Sequence, residues 1–470
     1  MARGRPIRRQ TLGLAGAVWL VCLLAGGALA DQLPRTFTVV TDIHFNPFDP
    51  PDLAARLADA EPAQWPDIFA GLSEQQAASF GSDTNYALYR SALEDLAKAG
   101  RTTDFVLVGG DLLAHRFETK ADAALPGETG GDTAGRLAAK TAIYVARSLQ
   151  AALPGKPIVL TLGNNDSDCG DYKLAPEGSF LKATEPVVRH LLGAAAPDPD
   201  FSTTYRAGGY YSLRHPTRPQ DRIIVINDII LSTKYRDGCS DRGDDAAERM
   251  MAWLEDRLRA AAAAGERVWL LRHIPAGFDA YGAVQASKEV CTTAGEAFLR
   301  APYRGRLHAL LRSYAGIIET SITGHIHHDT YRLWTDTTGA PVGLDKVVPA
   351  ISPVFDQNPS YQIFDYDLQS GRVTDFRTRF LTDLADTSLA RPGLWRKEYR
   401  FTEAYGHRAY DAAAVYDIWR SLADNGPARE TFSRLYPVSH GVLPADTFAA
   451  YACAVRYIDD PAFNTCWCGR

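Results

Sequence analysis

The stretch "TFTVVTDIHF" (residues 36–45) places two polar residues directly after a short apolar run. A run of this length, rich in Val and Thr, predicts a buried β-strand. Asp42 and His44 follow it, two positions apart. Such a pair is common after strands, so its meaning depends on what the other strands carry.

Four further predicted strands end in the same kind of residue. They are "DFVLVGGD" (104–111), "PIVLTLG" (157–163), "RVWLLRH" (267–273) and "IIETSITGH" (317–325). The polar residues at or directly after the ends of these strands are Asp111, Asn164, His273, and the pair His325 and His327. Each of these residues, considered alone, is of a type that is common in turns or in protein cores. Their joint occurrence, in chain order and always at strand ends, indicates one shared site.

The strands alternate with helical segments such as "YRSALEDLAKAG" (89–100), which is the pattern of an α/β fold. Such sheets bind ligands at the carboxyl ends of their strands. A further strand is predicted at "DRIIVIND" (221–228), and residues 360–381 are typical of an antiparallel hairpin that turns at Ser370-Gly371. The sequence therefore predicts a mixed sheet.

The chain of 470 residues is long enough for one large domain and an appendage. After residue 385 the pattern becomes helical, with Val415, Ile418, Trp419 and Leu422 at helical spacing. We expect a catalytic domain over 36–384 and a small helical, cysteine-containing subdomain over 385–470. The net charge of −6 argues against a nucleic-acid-binding face.

Residues 1–30 have the features of a secretory signal peptide: four arginines, an apolar stretch, and "ALA" before Asp31. The alternative is an uncleaved membrane anchor. Arg8-Arg9 leaves open whether export is general or uses the twin-arginine route. No later run has the ~20 apolar residues of a spanning helix, so a secreted or periplasmic protein is expected.

Six cysteines remain after this segment, an even number that favours disulfides in an exported chain. We expect Cys453 to pair with Cys466 or Cys468. The alternative is a zinc site, although no C-x-x-C pair supports it.

The residues at the strand ends suit a pair of metal ions. Two metals ~3.5–4 Å apart can hold both oxygens of an in-line displacement at phosphorus. A bridging carboxylate offsets their charge, and imidazole and oxygen ligands suit zinc, iron or manganese, with zinc favoured here. A water that bridges the metals would attack as hydroxide.

The motif set resembles the calcineurin-like metallophosphoesterases, whose D-x-H, G-D, G-N-H-[DE], lone His and G-H-x-H motifs match "DIH", "GD", "GNND", His273 and "GHIH". The resemblance implies a two-sheet α/β sandwich. It also implies one metal on Asp42, His44, Asp111 and His327, and a second on Asp111, Asn164, His273 and His325.

"GDLLAH", "HIPAG" and "NPSYQIFDYD" are similar to the acid sphingomyelinase-like branch, while "GNND" resembles the endopolyphosphatases. Few residues precede the first strand after the expected cleavage, so we expect no saposin domain. A soluble phosphoester, polyphosphate or nucleotide is therefore favoured over sphingomyelin.

Asn165 stands where the family has a histidine, and we expect it to offer an N–H to a phosphate oxygen. His115 follows Asp111 by four residues and is the candidate acid; the alternative is a loop histidine in water. His328 is expected to be solvated.

The predicted function is an exported dinuclear-metal hydrolase of phosphodiester, phosphomonoester or phosphoanhydride bonds. The alternatives are a phosphodiesterase acting on a lipid head group and a non-catalytic relative that binds metal or phosphate.

Overall fold

The structure, a computed structural model, describes residues 34–126, 131–236, 245–286 and 296–468, together with residues 1, 2 and 4. The predicted signal peptide lies outside these residues apart from those three positions. Within the described part, twelve strands form two six-stranded sheets.

The first sheet contains β1 (Arg35–Val40), β2 (Val106–Val108), β3 (Ile158–Leu160), β10 (Ser360–Tyr366), β11 (Val373–Leu381) and β12 (Trp395–Arg400), in the order β12-β11-β10-β1-β2-β3. The second contains β4 (Tyr211–His215), β5 (Arg218–Val225), β6 (Val268–Leu271), β7 (Ile318–Thr323), β8 (Thr330–Thr335) and β9 (Pro341–Val347), in the order β4-β5-β6-β7-β9-β8. β1, β2 and β3 are mutually parallel, as are β5, β6, β7 and β9.

The α-helices of the first half are α1 (Ala54–Asp59), α2 (Trp65–Ala70), α3 (Tyr86–Ala99), α4 (Phe117–Ala124), α5 (Gly131–Ala152), α6 (Ser179–Leu191) and α7 (Phe201–Gly208). Those of the second half are α8 (Asp245–Ala264), α9 (Ala280–Ala286), α10 (Ala301–Ser313), α11 (Phe401–Tyr405), α12 (Ala412–Ser421), α13 (Pro427–Leu435), α14 (Phe448–Arg456) and α15 (Asp460–Cys468).

Aromatic side chains fill the space between the sheets. The Phe37 ring on β1 lies edge-on to Trp269 on β6, with ring centroids 4.9 Å apart, and it stacks on Phe364 at 4.9 Å. All three side chains are buried. Packing of this kind fixes one sheet over the other and brings the ends of their parallel strands to one edge of the sandwich.

The predicted α/β class, the two-sheet sandwich, the predicted strands and the hairpin of residues 360–381 are confirmed. The C-terminal disulfide is also confirmed, between Cys453 and Cys466. The division at residue 385 stays a prediction, and β12 lies beyond it, paired with β11 before the terminal helices begin. Among the described residues, no helix combines the length and apolar character needed to span a bilayer.

Candidate metal centre

The loops that follow the parallel strands are joined to one another by backbone hydrogen bonds. The Asp42 amide donates to the Gly110 carbonyl at 3.0 Å, and the His44 amide donates to the Asp111 carbonyl at 2.9 Å. Across the two sheets, the Ser352 amide donates to the Asp42 carbonyl at 3.1 Å. The predicted ligand residues therefore lie on loops that hold each other in place.

Five of these residues adopt left-handed backbone conformations: Asp42, His44, Asp111, His325 and His327, with φ between 46° and 70°. Non-glycine residues rarely do so, because Cβ then crowds the backbone. Strain of this kind persists only where the surroundings enforce it, and it concentrates at functional sites. Here it turns side chains from consecutive loops toward a common centre.

A first cluster consists of four buried side chains, Asp42, His44, Asp111 and His327, whose ligand atoms all lie within 4.8 Å of one another. The two imidazole Nε2 atoms, of His44 and His327, are 3.0 Å apart. Asp42 Oδ1 is 3.4 Å from the Nε2 of His327, and Asp111 Oδ2 is 3.4 Å from the Nε2 of His44.

A second cluster lies on the other side of Asp111. Its Oδ2 is 3.4 Å from His273 Nε2, the same distance that separates it from His44. Asn164 Oδ1 lies 3.1 Å from His273 Nε2 and 2.9 Å from His325 Nδ1. One carboxylate oxygen is therefore shared by both clusters, and the structure brings together all seven predicted ligand residues.

The donor chemistry of these clusters fits cations. His44 Nδ1 lies 2.9 Å from the Leu113 carbonyl, and His273 Nδ1 lies 2.7 Å from the Gly109 carbonyl. Each Nδ1–H can donate to its carbonyl, so a neutral ring would offer the lone pair of Nε2 to a metal ion. These lone pairs face carboxylate, amide and imidazole acceptors, an arrangement that metal ions would satisfy.

Negative charge in the site raises the pKa of two of the four predicted histidine ligands, whereas burial lowers the pKa of the other two, His325 and His327. Burial alone would lower the pKa of His44, but the carboxylates of Asp111 and Asp42 outweigh it and raise the pKa to about 9. Against the same opposing effect of burial, Asp111 raises the pKa of His273 to about 10. Both shifts show a site whose charge favours bound cations.

Neighbouring groups hold the acidic ligands in place. Thr41 Oγ1 donates to Asp42 Oδ2 at 2.6 Å, and the His325 amide lies 3.1 Å from both carboxylate oxygens of Asp42. A Cβ at Gly324 would collide with Thr41 Oγ1 and Asp42 Oδ2, so only glycine allows this approach.

Two acidic residues of the "GNNDSDCGD" segment (163–171) have local structural roles. Asp166 is buried and accepts hydrogen bonds from the amides of Gly163, Leu112 and Leu113, which locks this loop to the one after β2. Asp168 accepts from the Phe180 amide at the start of α6.

Asp171 is a neighbour that the sequence did not single out. It accepts from the Nδ2 of Asn164 at 2.6 Å, which directs the amide oxygen of Asn164 toward His273 and His325. Nothing in an acidic loop sequence distinguishes this aspartate from its neighbours.

Asn165 contacts the carboxylate of Asp111, which both clusters share. Its backbone amide donates to Asp111 Oδ1 at 2.8 Å, and its side-chain Nδ2 donates to Asp111 Oδ2 at 3.0 Å. The side chain is buried. These contacts assign it to the positioning of Asp111, whereas its expected role toward a phosphate oxygen stays a prediction.

His115 lies at the site, stacked on the His44 ring with centroids 3.9 Å apart. Its Nδ1 is 2.7 Å from Asp83 Oδ1, and Lys120 Nζ is 2.5 Å from the other oxygen of Asp83. Burial opposes ionisation of Asp83, but the hydrogen bond from His115 and nearby positive charge lower its pKa to about 2. Sequence reasoning missed Asp83, because its loop follows no strand.

Two cavities meet at His115. One, of about 200 Å³, is lined by the shared Asp111 and by Tyr172, Lys234 and Phe355, among others. The other, of about 390 Å³, extends past Asp83. The cavity beside Asp111 therefore continues past His115, where there is room for a substrate.

His328 is not solvated, contrary to the expectation. Its ring is buried and stacks on Tyr436 with centroids 4.8 Å apart, and its Nδ1 lies 2.9 Å from the Ile326 carbonyl. The C-terminal helices supply the residue that covers it, and alternation along a strand could not show this.

Fold and donor set together define a metal-dependent phosphoester hydrolase. The family model for calcineurin-like phosphoesterases matches residues 35–329, so the chain belongs to that family.

Several curated proteins are similar along most of the chain. Human acid sphingomyelinase-like phosphodiesterase 3b is 24% identical over 473 residues, covering 95% of this chain and 93% of the relative. Human cyclic GMP-AMP phosphodiesterase SMPDL3A is 22% identical, covering 94% and 92%. Sphingomyelinase phosphodiesterase C of Dictyostelium discoideum is 24% identical, covering 83% and 82%. Among solved structures, a dimetal phosphatase from Danio rerio covers 78% of this chain and 99% of its own, with 13% identity and a TM-score of 0.42.

Proposed function

We propose that the chain is an exported dinuclear-metal phosphodiesterase whose two metal positions share Asp111. The observation that carries this proposal is that one oxygen, Asp111 Oδ2, lies 3.4 Å from the Nε2 atoms of both His44 and His273. The similarity to proteins named phosphodiesterases supports the diester over the monoester.

The proposed first metal position uses Asp42, His44, Asp111 and His327, and the second uses Asp111, Asn164, His273 and His325. Imidazole, carboxylate and amide donors of this kind suit zinc first, with iron or manganese as alternatives. When bound, such metals supply Lewis-acid activation of water and of phosphoryl oxygens.

His115 is proposed to protonate the leaving group. Because Nδ1 faces Asp83, the ring's Nε2 is the atom that can serve the cavity. Nε2–H would donate its proton to the departing oxygen, and the Asp83 carboxylate would stabilise the imidazolium from which that proton comes. Lys120, bonded to Asp83 and to the His115 carbonyl at 2.7 Å, keeps this pair in place.

Export is part of the proposal. The disulfide between Cys453 and Cys466 suits an oxidising compartment, and Cys169 and Cys468 are disulfide-bonded as well. The leader-like sequence of residues 1–30 supports the same compartment.

The test is metal analysis combined with a substrate panel, run with zinc, iron or manganese supplied. The panel contains bis-p-nitrophenyl phosphate, p-nitrophenyl phosphate, a cyclic dinucleotide, polyphosphate and a phosphocholine ester. We expect two metals per chain and faster turnover of diesters than of monoesters. Absence of both metal and turnover would leave the non-catalytic alternative, and turnover of the phosphocholine ester alone would favour the lipid head group.

A further inference from the structure

His273, a ligand of the proposed second metal position, directly follows an arginine that is completely buried. The Arg272 side chain is 0% exposed, and the residue lies immediately after the last residue of β6. A buried guanidinium is costly unless carboxylates and carbonyl groups compensate its charge and accept its hydrogen bonds. The partners of Arg272 therefore indicate what this charge holds in place.

Two buried aspartates from the second sheet and the segment after β5 compensate Arg272. Its Nη2 donates to Oδ2 of Asp345 on β9, and its Nη1 lies 3.5 Å from Oδ2 of Asp228, which follows β5. Both carboxylates are 0% exposed. A further buried arginine, Arg332, lies opposite Asp345 in the register of β8 and β9. We refer to Arg272, Asp228 and Asp345 as the Arg272 cluster.

The two carboxylates of the Arg272 cluster also bind the backbone that carries His273. Asp228 Oδ1 lies 3.3 Å from the His273 amide nitrogen and accepts from the Ile274 amide at 3.0 Å. Asp345 Oδ2 accepts from the Ala276 amide at 2.9 Å. The intervening residue is a proline, which has no N–H. Every backbone N–H from residue 273 to residue 276 is therefore bound by one of these two aspartates.

The contacts of the Arg272 cluster favour one of the two metal positions. Arg272 Nη1 donates to the Ile274 carbonyl, and the His273 carbonyl accepts at 2.9 Å from the Gly324 amide, directly before His325. His273 and His325 are both ligands of the proposed second position. Among the described residues, no hydrogen bond joins the cluster to the ligands that belong to the first position alone, which are Asp42, His44 and His327.

We propose that the three residues of the Arg272 cluster are positioning residues that fix His273 and thereby set the metal affinity of the second position, but not of the first. This inference rests on the proposed function, because it concerns one of the two proposed metal positions. A fixed imidazole loses less conformational freedom on binding a metal than an imidazole on a loose loop, so metal affinity depends on this support. None of the three residues lines the cavity beside Asp111. The cluster therefore acts through the loop of His273.

The experiment is the stepwise removal of Co²⁺ from the loaded, full-length protein by a chelator, followed by visible absorption, which depends on the ligands of each ion. His325→Ala, which lacks a ligand of the second position only, identifies the absorption bands of that position. Asp228→Asn keeps the shape of the side chain and removes the charge that faces Arg272. We expect the Co²⁺ affinity of the second position to fall by about tenfold or more, and that of the first to be unchanged.

Asp221→Asn is the matched control, because Asp221 is a buried carboxylate on β5 that pairs with a different arginine, Arg218. Among the described residues, it has no hydrogen bond to the loop of residues 272–276. We expect it to leave both Co²⁺ affinities unchanged, and thermal melts compare the stability of the two variants. A selective loss in Asp221→Asn as well would show a general loss of stability and would overturn the proposal.

Arg272→Lys is the second variant, which decides the question if Asp228→Asn does not fold. Lysine keeps the charge but lacks the planar fork that binds Ile274 and Asp345 together, so the same selective loss is expected. If the parent binds two Co²⁺ ions and the variants bind both as tightly, or lose both positions equally, the proposal is wrong while the proposed function stands. A parent that binds fewer than two ions would overturn the proposed function as well.

Discussion

The side-chain amide of Asn165 donates a hydrogen bond to Asp111 Oδ2 at 3.0 Å, and the Asn165 backbone amide donates to Asp111 Oδ1 at 2.8 Å. Asn165 therefore holds both carboxylate oxygens of Asp111. The neighbouring Asn164 instead presents its own oxygen to His273 and His325. The two consecutive asparagines therefore do different work.

Replacement of Asn165 by alanine should lower metal affinity or turnover to the same extent for good and for poor leaving groups. The variant loses one of the two hydrogen bonds to Asp111, and loss of a residue that orients a ligand costs ~10–100-fold in metal affinity or activity. Turnover of an alkyl and of an aryl phosphodiester should fall by the same factor. A loss confined to the alkyl ester would show that Asn165 assists the leaving group.

His115→Ala should separate substrates by their leaving groups. Loss of general acid assistance typically costs ~10²–10⁴ in rate, and a good leaving group needs no proton. We expect a far larger loss of kcat for an alkyl phosphodiester than for bis-p-nitrophenyl phosphate. Equal losses on both substrates would indicate that His115 only positions phosphate.

Asp83→Asn should reproduce part of the His115 effect. The amide keeps the shape but removes the charge that faces His115 Nδ1 at 2.7 Å. We expect a loss of about tenfold or more on the alkyl ester, a smaller loss on the aryl ester, and no further loss when the change is added to His115→Ala. Additive effects in the double variant would mean that the two residues act independently.

The stability of the fold should fall as the pH is lowered from 6.5, because of His215. This ring is buried between the sheets, 4.5 Å from Trp269, and burial together with the Arg218 guanidinium lowers its pKa to about 3. The unfolded chain binds the same proton at a pKa of ~6.5. The contribution of neutral His215 to the free energy of unfolding is therefore complete above pH 6.5, and it decreases by about 1.4 kcal/mol per pH unit down to pH 3. Denaturant melts of the parent and of His215→Gln should differ in this slope; identical slopes would contradict the assignment.

The sequence predicted that the seven candidate ligands lie together because they occupy a repeated position, the residue or two after a buried strand. Parallel strands carry such positions to one edge of the sheet, so their proximity follows from the fold class. Asp83 and Asp171 lie on loops with no such rule. Their roles depend on how these loops fold over His115 and Asn164.

Contacts between distant segments also explain why the burial of His328 and the strand β12 were not predicted. His328 is buried because Tyr436, from the C-terminal helices, covers it. β12 was not expected because "WRKEYR" (395–400) carries charged residues at most of its positions. An edge strand with one exposed face tolerates them, and its pairing with β11 decides its conformation.

The most direct measurement is the metal content and turnover of Asp111→Ala, since its Oδ2 is the one described carboxylate oxygen within 3.4 Å of Nε2 of both His44 and His273. Asp168→Ala serves as the control, because Asp168 lies on the loop after β3 but contacts the start of α6. We predict that Asp111→Ala loses at least one metal and all measurable turnover, while Asp168→Ala retains both metals. Two metals and full activity in Asp111→Ala would contradict this prediction.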